Sequence, residues 1–241
     1  AWARGTMLYS IAWLTALMLA ELAEKAGVPR GVFNGVTTHE STEAVGKVMC
    51  ESPLVKKFSF TGSTAVGKRL GALCVGSTVK RISLELGGDA PLLVFADCDM
   101  EKAVKGAIAC KFRNAGQTCV CANRILVEDA IYDEFSKKVA EAVKALKVGP
   151  GDQDGVAVGP LIDMKAMEKV ERLVAEAIDA GATPLAGGKP NPAGKQFFTP
   201  TVLANVTRAM RVNTEEIFGP VAPLIRFKTE DEAVAIANDT P

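Results

Sequence analysis

The first third of the chain alternates helix-like and strand-like hydrophobic patterns, and this alternation restricts the fold more than any other feature. Strands separated by single helices need right-handed crossover connections, which place helices on both faces of a parallel sheet. We therefore predict an α/β layer of the kind that binds dinucleotides. Its predicted elements are a helix over Leu14–Lys25, a strand within Gly31–Val36, a helix over Ser41–Cys50, a strand over Val55–Phe60, a helix over Ser63–Cys74 and a strand over Val79–Leu86.

Two adjacent glycines, Gly87 and Gly88, interrupt this alternation, and we place a domain boundary near Gly87. The chain beyond them has a new apolar run, further helical patterns and loops rich in glycine and proline. The predicted elements there are a strand over Pro91–Phe95, helices over Met100–Ala109, Ala130–Leu146 and Met164–Ala180, and a last helix that begins near Thr229.

The charge balance excludes several classes of partner. Apolar residues make up 48% of the chain and charged residues 23%, as in a globular protein, and 28 basic residues balance 28 acidic ones. No basic cluster indicates nucleic acid or a membrane surface, so we expect a small-molecule partner. The single histidine, His39, lies in a polar stretch that indicates a surface position. This argues against Ser-His-Asp and Cys-His hydrolases, which need an imidazole base.

Six cysteines are scattered through the chain without paired CxxC spacing. A chain of this size does not need disulfides for stability, so a reducing compartment is the better hypothesis. We predict neither a disulfide framework nor a metal site.

The ends of the chain carry two further expectations. Met7–Ala20 is nearly all apolar, but it is shorter than the roughly 20 residues that span a bilayer. It could imitate the core of a signal peptide, although an amphipathic helix that ends at Gly27 explains it better. Because the chain starts at Ala1 rather than Met and stops at Pro241 soon after a helix begins, we expect an internal fragment.

A strand that ends at Phe60 passes through Thr61 and Gly62 into a helix opened by Ser63, with Gly67 one turn later. A helix N-terminus after a glycine turn offers N–H groups and a positive dipole end, which suit a pyrophosphate. An ordinary helix cap made by Ser63 explains the pattern equally well. Both interpretations stay open.

Glu85 is an acid at the end of an otherwise apolar strand, followed by two glycines. At the carboxyl edge of a parallel sheet it would face a ligand crevice, and partial burial would raise its pKa toward that of a general base. The alternative is an exposed glutamate at a strand end.

Cys119 follows a polar Gly-Gln-Thr loop, whereas most lone cysteines are buried as small apolar residues. A substrate can reach a cysteine in such a loop, and nearby cationic or dipolar groups lower a thiol pKa. Cys119 is therefore the candidate nucleophile.

Four motifs together resemble the aldehyde dehydrogenase superfamily in order and approximate spacing, from about Leu14 to Pro241. The string FRNAGQTCVCANR, residues 112–124, is similar to the succinate-semialdehyde dehydrogenase branch. The four motifs are Phe60-Thr61-Gly62-Ser63 with Gly67, Glu85-Leu86-Gly87-Gly88, Gly116-Gln117-Thr118-Cys119 and Glu216-Ile217-Phe218-Gly219-Pro220.

The resemblance implies a fold and a setting. Residues 1–87 would be the second half of a Rossmann-like NAD(P)-binding domain, with the first ~13 residues atypical for the family. Residues 88–241 would be most of an α/β catalytic domain. The intact parent would be a homo-oligomer, a tetramer, acting in GABA catabolism. Its compartment would be the mitochondrial matrix in an animal or the cytoplasm in a bacterium.

The resemblance also implies roles. Cys119 would attack the aldehyde to give a thiohemiacetal and then a thioester, its own N–H would form half of the oxyanion hole, and Glu85 would activate the hydrolytic water. The cofactor, NAD or NADP, would contact residues of both parts of the chain. These residues are Thr61, Gly62, Ser63, Gly67, Leu86, Glu216 and Phe218.

Two residues near Cys119 suggest specificity and regulation. Arg113, six residues before Cys119, could hold a second carboxylate bidentately, as in succinate semialdehyde, or form a structural ion pair instead. Cys121 could form a reversible disulfide with Cys119 if the loop bends.

Some family elements are missing. The lysine-containing stretch that would contact the adenosine ribose is absent around Met7–Ile11, and so is the oxyanion-hole asparagine. Two alternatives therefore remain beside succinate-semialdehyde oxidation. The parent could be a general aldehyde dehydrogenase, and the isolated chain could be catalytically inert and marginally folded.

Overall fold

The computed structural model describes residues 18–36, 38 and 40–240. The expectations for His39 and for the segment before residue 18 lie outside the described residues. The chain divides into two compact units, the first ending at Leu86 and the second beginning at Gly87. Within the described residues no helix combines the length and the apolar character needed to cross a bilayer.

The described part of the first unit contains a small parallel sheet and three helices. Strands β1 and β2 pair in register from Lys57 with Arg81 to Gly62 with Leu86. This confirms the predicted parallel pairing of the two strands. The elements are α1 over residues 18–25, α2 over Thr42–Glu51, β1 over Lys57–Gly62, α3 over Thr64–Ser77 and β2 over Arg81–Leu86.

The predicted strand within Gly31–Val36 is wrong. Residues 31–36 have no strand conformation, and Val32 and Val36 are 69% and 77% exposed. The only strands of the described part of this unit are β1 and β2, which pair with each other. Residues 31–36 pair with neither of these strands.

Helix α3 packs on one face of β2. A Cβ added at Gly67 would lie 2.9 Å from Leu86 Cδ1, and one added at Gly71 would lie 3.7 Å from Leu84 Cδ1. Side chains alternate between the faces of a strand, so Glu85 lies on the opposite face from Leu84 and Leu86. The face that carries Glu85 is exposed.

The second unit is built on a five-stranded sheet in the order β3-β4-β7-β6-β5. Its pairs are parallel except for β5, which runs antiparallel to β6. The strands are β3 over Pro91–Val94, β4 over Arg124–Glu128, β5 over Thr183–Ala186, β6 over Thr201–Ala204 and β7 over Val221–Phe227. The helices are α4 over Met100–Phe112, α5 over Tyr132–Lys144, α6 over Met164–Asp179, α7 over Arg211–Thr214 and α8 over Glu230–Ala237.

Both faces of this sheet are buried. Leu126 packs with α6 and α8 in one apolar cluster, whereas its neighbour Ile125 packs with α4 and α5 in another. Helices on both faces make successive residues of the central strands apolar rather than alternating. The residues of β4 from Ile125 to Val127 are therefore all buried.

A fully buried arginine, Arg124, begins β4. Its Nε and Nη2 donate to the carbonyl oxygen of Asp89 at 3.0 and 2.8 Å, and Nε lies 3.0 Å from Asp89 Oδ2. Nη1 and Nη2 also donate to the carbonyls of Ile236 and Ala237 at 2.7 and 2.9 Å. These two carbonyls end α8, and such groups lack partners within a helix. Arg124 therefore satisfies the end of α8 from inside the core.

Replacing Arg124 with Met should reduce the free energy of unfolding by about 3–5 kcal/mol, because Asp89 and the α8 carbonyls would stay buried without their cation. Arg208→Met is the control, since Arg208 pairs with Asp239 at the surface. It should cost under about 1 kcal/mol. Urea unfolding followed by circular dichroism measures both, and equal losses would contradict the buried role of Arg124.

Candidate active site

The chain leaves α4 through a short run of left-handed residues. Asn114, Ala115 and Gly116 have φ angles of 51°, 55° and 73°. Asparagine and glycine adopt this conformation readily, but for Ala115 it costs about 1–2 kcal/mol. The surrounding structure must therefore hold the loop that leads to Cys119.

Two contacts hold this loop. The buried side chain of Gln117 donates to the carbonyls of Asn114 and Pro160, both at 3.2 Å, and accepts from Ile162 N at 2.9 Å. Gly116 packs against the backbone of Gly219, where an added Cβ would lie 2.6 Å from the carbonyl carbon. The loop is thus pinned to two distant segments of the same unit.

Cys119 lies in a turn closed by a hydrogen bond from Cys121 N to Thr118 O at 3.1 Å. All six cysteines are within the described residues, and Cys119 alone among them is exposed. Burial raises the pKa of Cys50 to about 11 and also raises the pKa of Cys98. The structure therefore places Cys119 where a reactant can reach it, as the sequence predicted.

Cys121 is buried, and its Sγ lies 2.7 Å from Thr118 Oγ1. The turn from Thr118 to Cys121 bends the chain between the two cysteines. The bridge itself stays a prediction.

Arg113 is exposed at the start of the loop. None of the ion pairs found among the described residues includes Arg113. The alternative of a structural ion pair therefore has no support in the described part of the chain.

Lys111 places a buried amine behind the loop. Burial lowers its pKa from 10.5 to about 8, while Cys121, Cys110, Asp89 and Glu216 favour the charged form. Burial thus disfavours the positive charge of Lys111, and these neighbouring groups oppose that effect.

The segment that follows α7 carries Glu216 and Phe218 on either side of the buried residue Ile217. Ile217 is fully buried, whereas Phe218 is partly exposed with φ 53°. Gly88 N donates to Glu216 Oε1 at 3.3 Å, and a Cβ at Gly87 would lie 3.1 Å from Glu216 Cδ. The glycines let the carboxylate lie directly against the backbone.

In the first unit, Thr61, Gly62 and Ser63 are exposed at the junction of β1 and α3. Ser63 Oγ accepts from Val66 N at 3.4 Å, so the predicted helix cap is confirmed. Gly67 and Leu86 pack against each other. The binding roles of these residues stay predictions.

The expected partial burial of Glu85 is wrong, because its side chain is exposed. The reason is its place on β2, since α3 covers only the face that carries Leu84 and Leu86.

Sequence reasoning gave no role to four residues that shape the site: Asp89, Asn123, Arg124 and Lys169. Asn123 and Arg124 are polar residues directly before the apolar run of β4, and this position could have marked them as buried and hydrogen-bonded. Lys169 lies on the surface of α6 and carries no such signal.

Residues 10–241 match the family model described as "Aldehyde dehydrogenase family". The chain belongs to the aldehyde dehydrogenase family. It is 54% identical over 226 residues to a succinate-semialdehyde dehydrogenase [NADP(+)] of Escherichia coli, covering 94% of this chain and 46% of the relative. A 3-sulfolactaldehyde dehydrogenase of Pseudomonas putida is 54% identical over 227 residues, again covering 94% of this chain and 46% of the relative.

Among solved structures, a crystal structure of an NADP-dependent enzyme from Escherichia coli matches this aldehyde dehydrogenase chain with a TM-score of 0.90 and 53% identity. The match covers 93% of this chain and 46% of that one. The predicted family and α/β fold class are therefore confirmed. The chain spans less than half the length of these relatives.

Gly116→Ala should destabilise the protein more than Gly155→Ala. Both glycines have nearly the same φ, 73° and 74°, but a Cβ at Gly155 meets nothing within 4 Å. Gly155→Ala should therefore cost only the left-handed strain of about 1–2 kcal/mol. Gly116→Ala should cost about 1–3 kcal/mol more, because Gly219 must move. Chemical unfolding measures the difference, and equal costs would contradict the close packing of Gly116 on Gly219.

Proposed function

We propose that the protein containing this chain oxidises an aldehyde to the corresponding acid, with Cys119 as the nucleophile and NAD or NADP as the cofactor. The observation that carries the proposal is the exposure of Cys119 in a loop held by Gly116 and Gln117, while the other cysteines are buried or half-buried. A nucleophile held in place reacts faster, because orientation is fixed before the reaction.

The reaction begins with a bond between sulfur and carbon. The Cys119 thiolate adds to the aldehyde carbon, and the C=O electron pair moves onto the oxygen. The N–H of Cys119 stabilises that negative charge. A bound NAD or NADP would supply the hydride acceptor; as the oxygen electron pair of the adduct re-forms the C=O and the hydride leaves the carbon, a thioester would remain on Cys119.

Hydrolysis completes the cycle. Water adds to the thioester carbon while Glu85 accepts a proton from the water. The S–C bond then breaks, which frees the acid and restores the Cys119 thiolate. Glu85 is proposed for this step because its exposed carboxylate lies near the carboxyl end of β2, two residues before Gly87.

Each unit by itself carries groups of the kind that contact a dinucleotide. The N-terminus of α3, a helix of 14 residues, offers N–H groups beside Thr61, Gly62 and Ser63, as a pyrophosphate requires. Glu216 provides a carboxylate for ribose hydroxyls and Phe218 a partly exposed ring for the nicotinamide. Gly67 is proposed to lie on the adenosine side, and Leu86 is proposed to contact the cofactor.

For the substrate we propose succinate semialdehyde, with a broader range of aldehydes as the alternative. Arg113 is exposed and unpaired among the described residues, so its guanidinium can bind a second acidic group. The two relatives above are named for succinate semialdehyde and 3-sulfolactaldehyde, and both aldehydes carry an acidic group. The shared chemistry supports an anion site at Arg113. The compartment and the tetramer stay predictions.

In the enzyme that contains this chain, Cys119→Ala should lower NAD(P)H formation by about a thousandfold or more, because no other thiol takes over as nucleophile. Cys98→Ala is the control and should keep most of the activity, since Cys98 lies outside the loop. Production of NAD(P)H, followed by absorbance with succinate semialdehyde as substrate, measures both. A Cys119→Ala variant that keeps activity would refute the proposed nucleophile.

Arg113→Leu should lower kcat/KM for succinate semialdehyde by about ten- to a hundredfold, as loss of a charge-assisted hydrogen bond of about 1.5–3 kcal/mol predicts. A neutral aldehyde of similar length should be affected far less. Arg208→Leu, at another exposed arginine, should change neither substrate. If Arg113→Leu impairs both aldehydes equally, Arg113 supports the loop rather than the substrate.

A further inference from the structure

The buried side chain of Asn123 hydrogen-bonds to the main chain on both sides of Glu216. Ile217 N donates to Asn123 Oδ1 at 2.9 Å, and Asn123 Nδ2 donates to the carbonyl of Glu215 at 3.2 Å. One amide group thus binds the main chain immediately before and immediately after Glu216, some ninety residues away in sequence.

Chemistry fixes the orientation of this amide. The N–H of Ile217 requires an acceptor, which only Oδ1 provides, whereas Nδ2 donates both to Glu215 O and to Asp89 Oδ1. The backbone N–H of Asn123 donates to Ala90 O at 2.8 Å. Asp89 in turn contacts the buried Arg124. The side chain of Asn123 is therefore held at both ends.

Lys169, which lies on α6, also binds this segment. Its Nζ donates to the main-chain carbonyl of Glu216 at 2.6 Å, and it lies 3.8 Å from Glu215 Oε1. Three consecutive main-chain groups, Glu215 O, Glu216 O and Ile217 N, are therefore bound by side chains from other elements. The carboxylate of Glu216 then lies against Gly87 and Gly88.

We propose that Asn123 and Lys169 are positioning residues that hold the Glu216 carboxylate for the cofactor ribose. This inference rests on the proposed role of Glu216. A carboxylate that binds neutral hydroxyls loses conformational freedom on binding, so a backbone fixed beforehand lowers that cost. Both side chains bind the main chain around Glu216 rather than its carboxylate.

A double-mutant cycle on cofactor affinity tests the proposal in the enzyme that contains this chain. The dissociation constant for NADH or NADPH is measured by fluorescence titration without substrate. Asn123→Ala and Glu216→Gln should each weaken binding by about tenfold or more, as expected for a lost hydrogen bond to a charged group. In the Glu216→Gln background, Asn123→Ala should add little, because both changes act through one carboxylate.

Two further variants separate positioning from folding. Lys169→Met removes the hydrogen bond from the partly exposed Lys169 amine to the carbonyl of Glu216. It should also weaken cofactor binding, without a large loss of thermal stability. Asn191→Ala is the matched control, because Asn191 is a half-buried asparagine whose Nδ2 donates to Thr199 Oγ1 at 3.3 Å, away from Glu216. It should leave the dissociation constant unchanged.

The outcomes distinguish the inference from the proposed function. If Glu216→Gln weakens binding but Asn123→Ala and Lys169→Met do not, the positioning role is wrong while the role of Glu216 stands. Fully additive losses in the double variant would also overturn positioning, since they indicate a general effect on the fold. If Glu216→Gln leaves affinity unchanged, the proposed role of Glu216 is wrong and the inference falls with it.

Discussion

Asn123 and Arg124, the polar pair at the start of β4, connect parts of the second unit that are far apart in sequence. Arg124 binds the carbonyl of Asp89 and the end of α8, more than one hundred residues later. Asn123 binds Asp89 and the main chain on both sides of Glu216. Buried polar groups are costly unless every partner is present, so this pair favours one arrangement of the segments it joins.

The Cys119 loop depends on that arrangement. It leaves α4 through three left-handed residues, and it returns to the core at Asn123. Between these points, Gly116 packs on Gly219, which belongs to the same segment as Glu216. The loop of the proposed nucleophile and the segment of the proposed cofactor ligand are therefore in direct backbone contact within a single unit.

Local patterns predicted the helices and the two paired strands of the first unit well. Ser63, Asp99 and Asp163 cap α3, α4 and α6, and a small polar residue before an apolar periodic run is a strong signal of a helix start. The motif around Cys119 also led to the exposed cysteine. These features depend on neighbouring residues, which the sequence displays directly.

The features that sequence analysis missed depend on distant residues. Strands β4, β6 and β7 are short runs buried along almost their whole length, and periodicity alone does not separate such runs from buried helix. The run within Gly31–Val36 was predicted as a strand by the same logic and has no strand conformation. The hydrogen bonds of Asn123 and Lys169 to the main chain around Glu216 join residues from different parts of the chain, so no local pattern displays them. The exposure of Glu85 likewise depends on which face of β2 helix α3 covers.

The central claim is that Cys119 forms the covalent bond with substrate. The most direct measurement is acid quenching of the enzyme that contains this chain during turnover with succinate semialdehyde and NAD or NADP, followed by mass spectrometry of its peptides. Cleavage at arginine gives one peptide that holds both Cys119 and Cys121, so fragmentation must assign the adduct. The account predicts a succinyl thioester on Cys119 that disappears when the aldehyde is exhausted. A thioester on Cys121 or on another cysteine, or turnover without any thioester on Cys119, would contradict it.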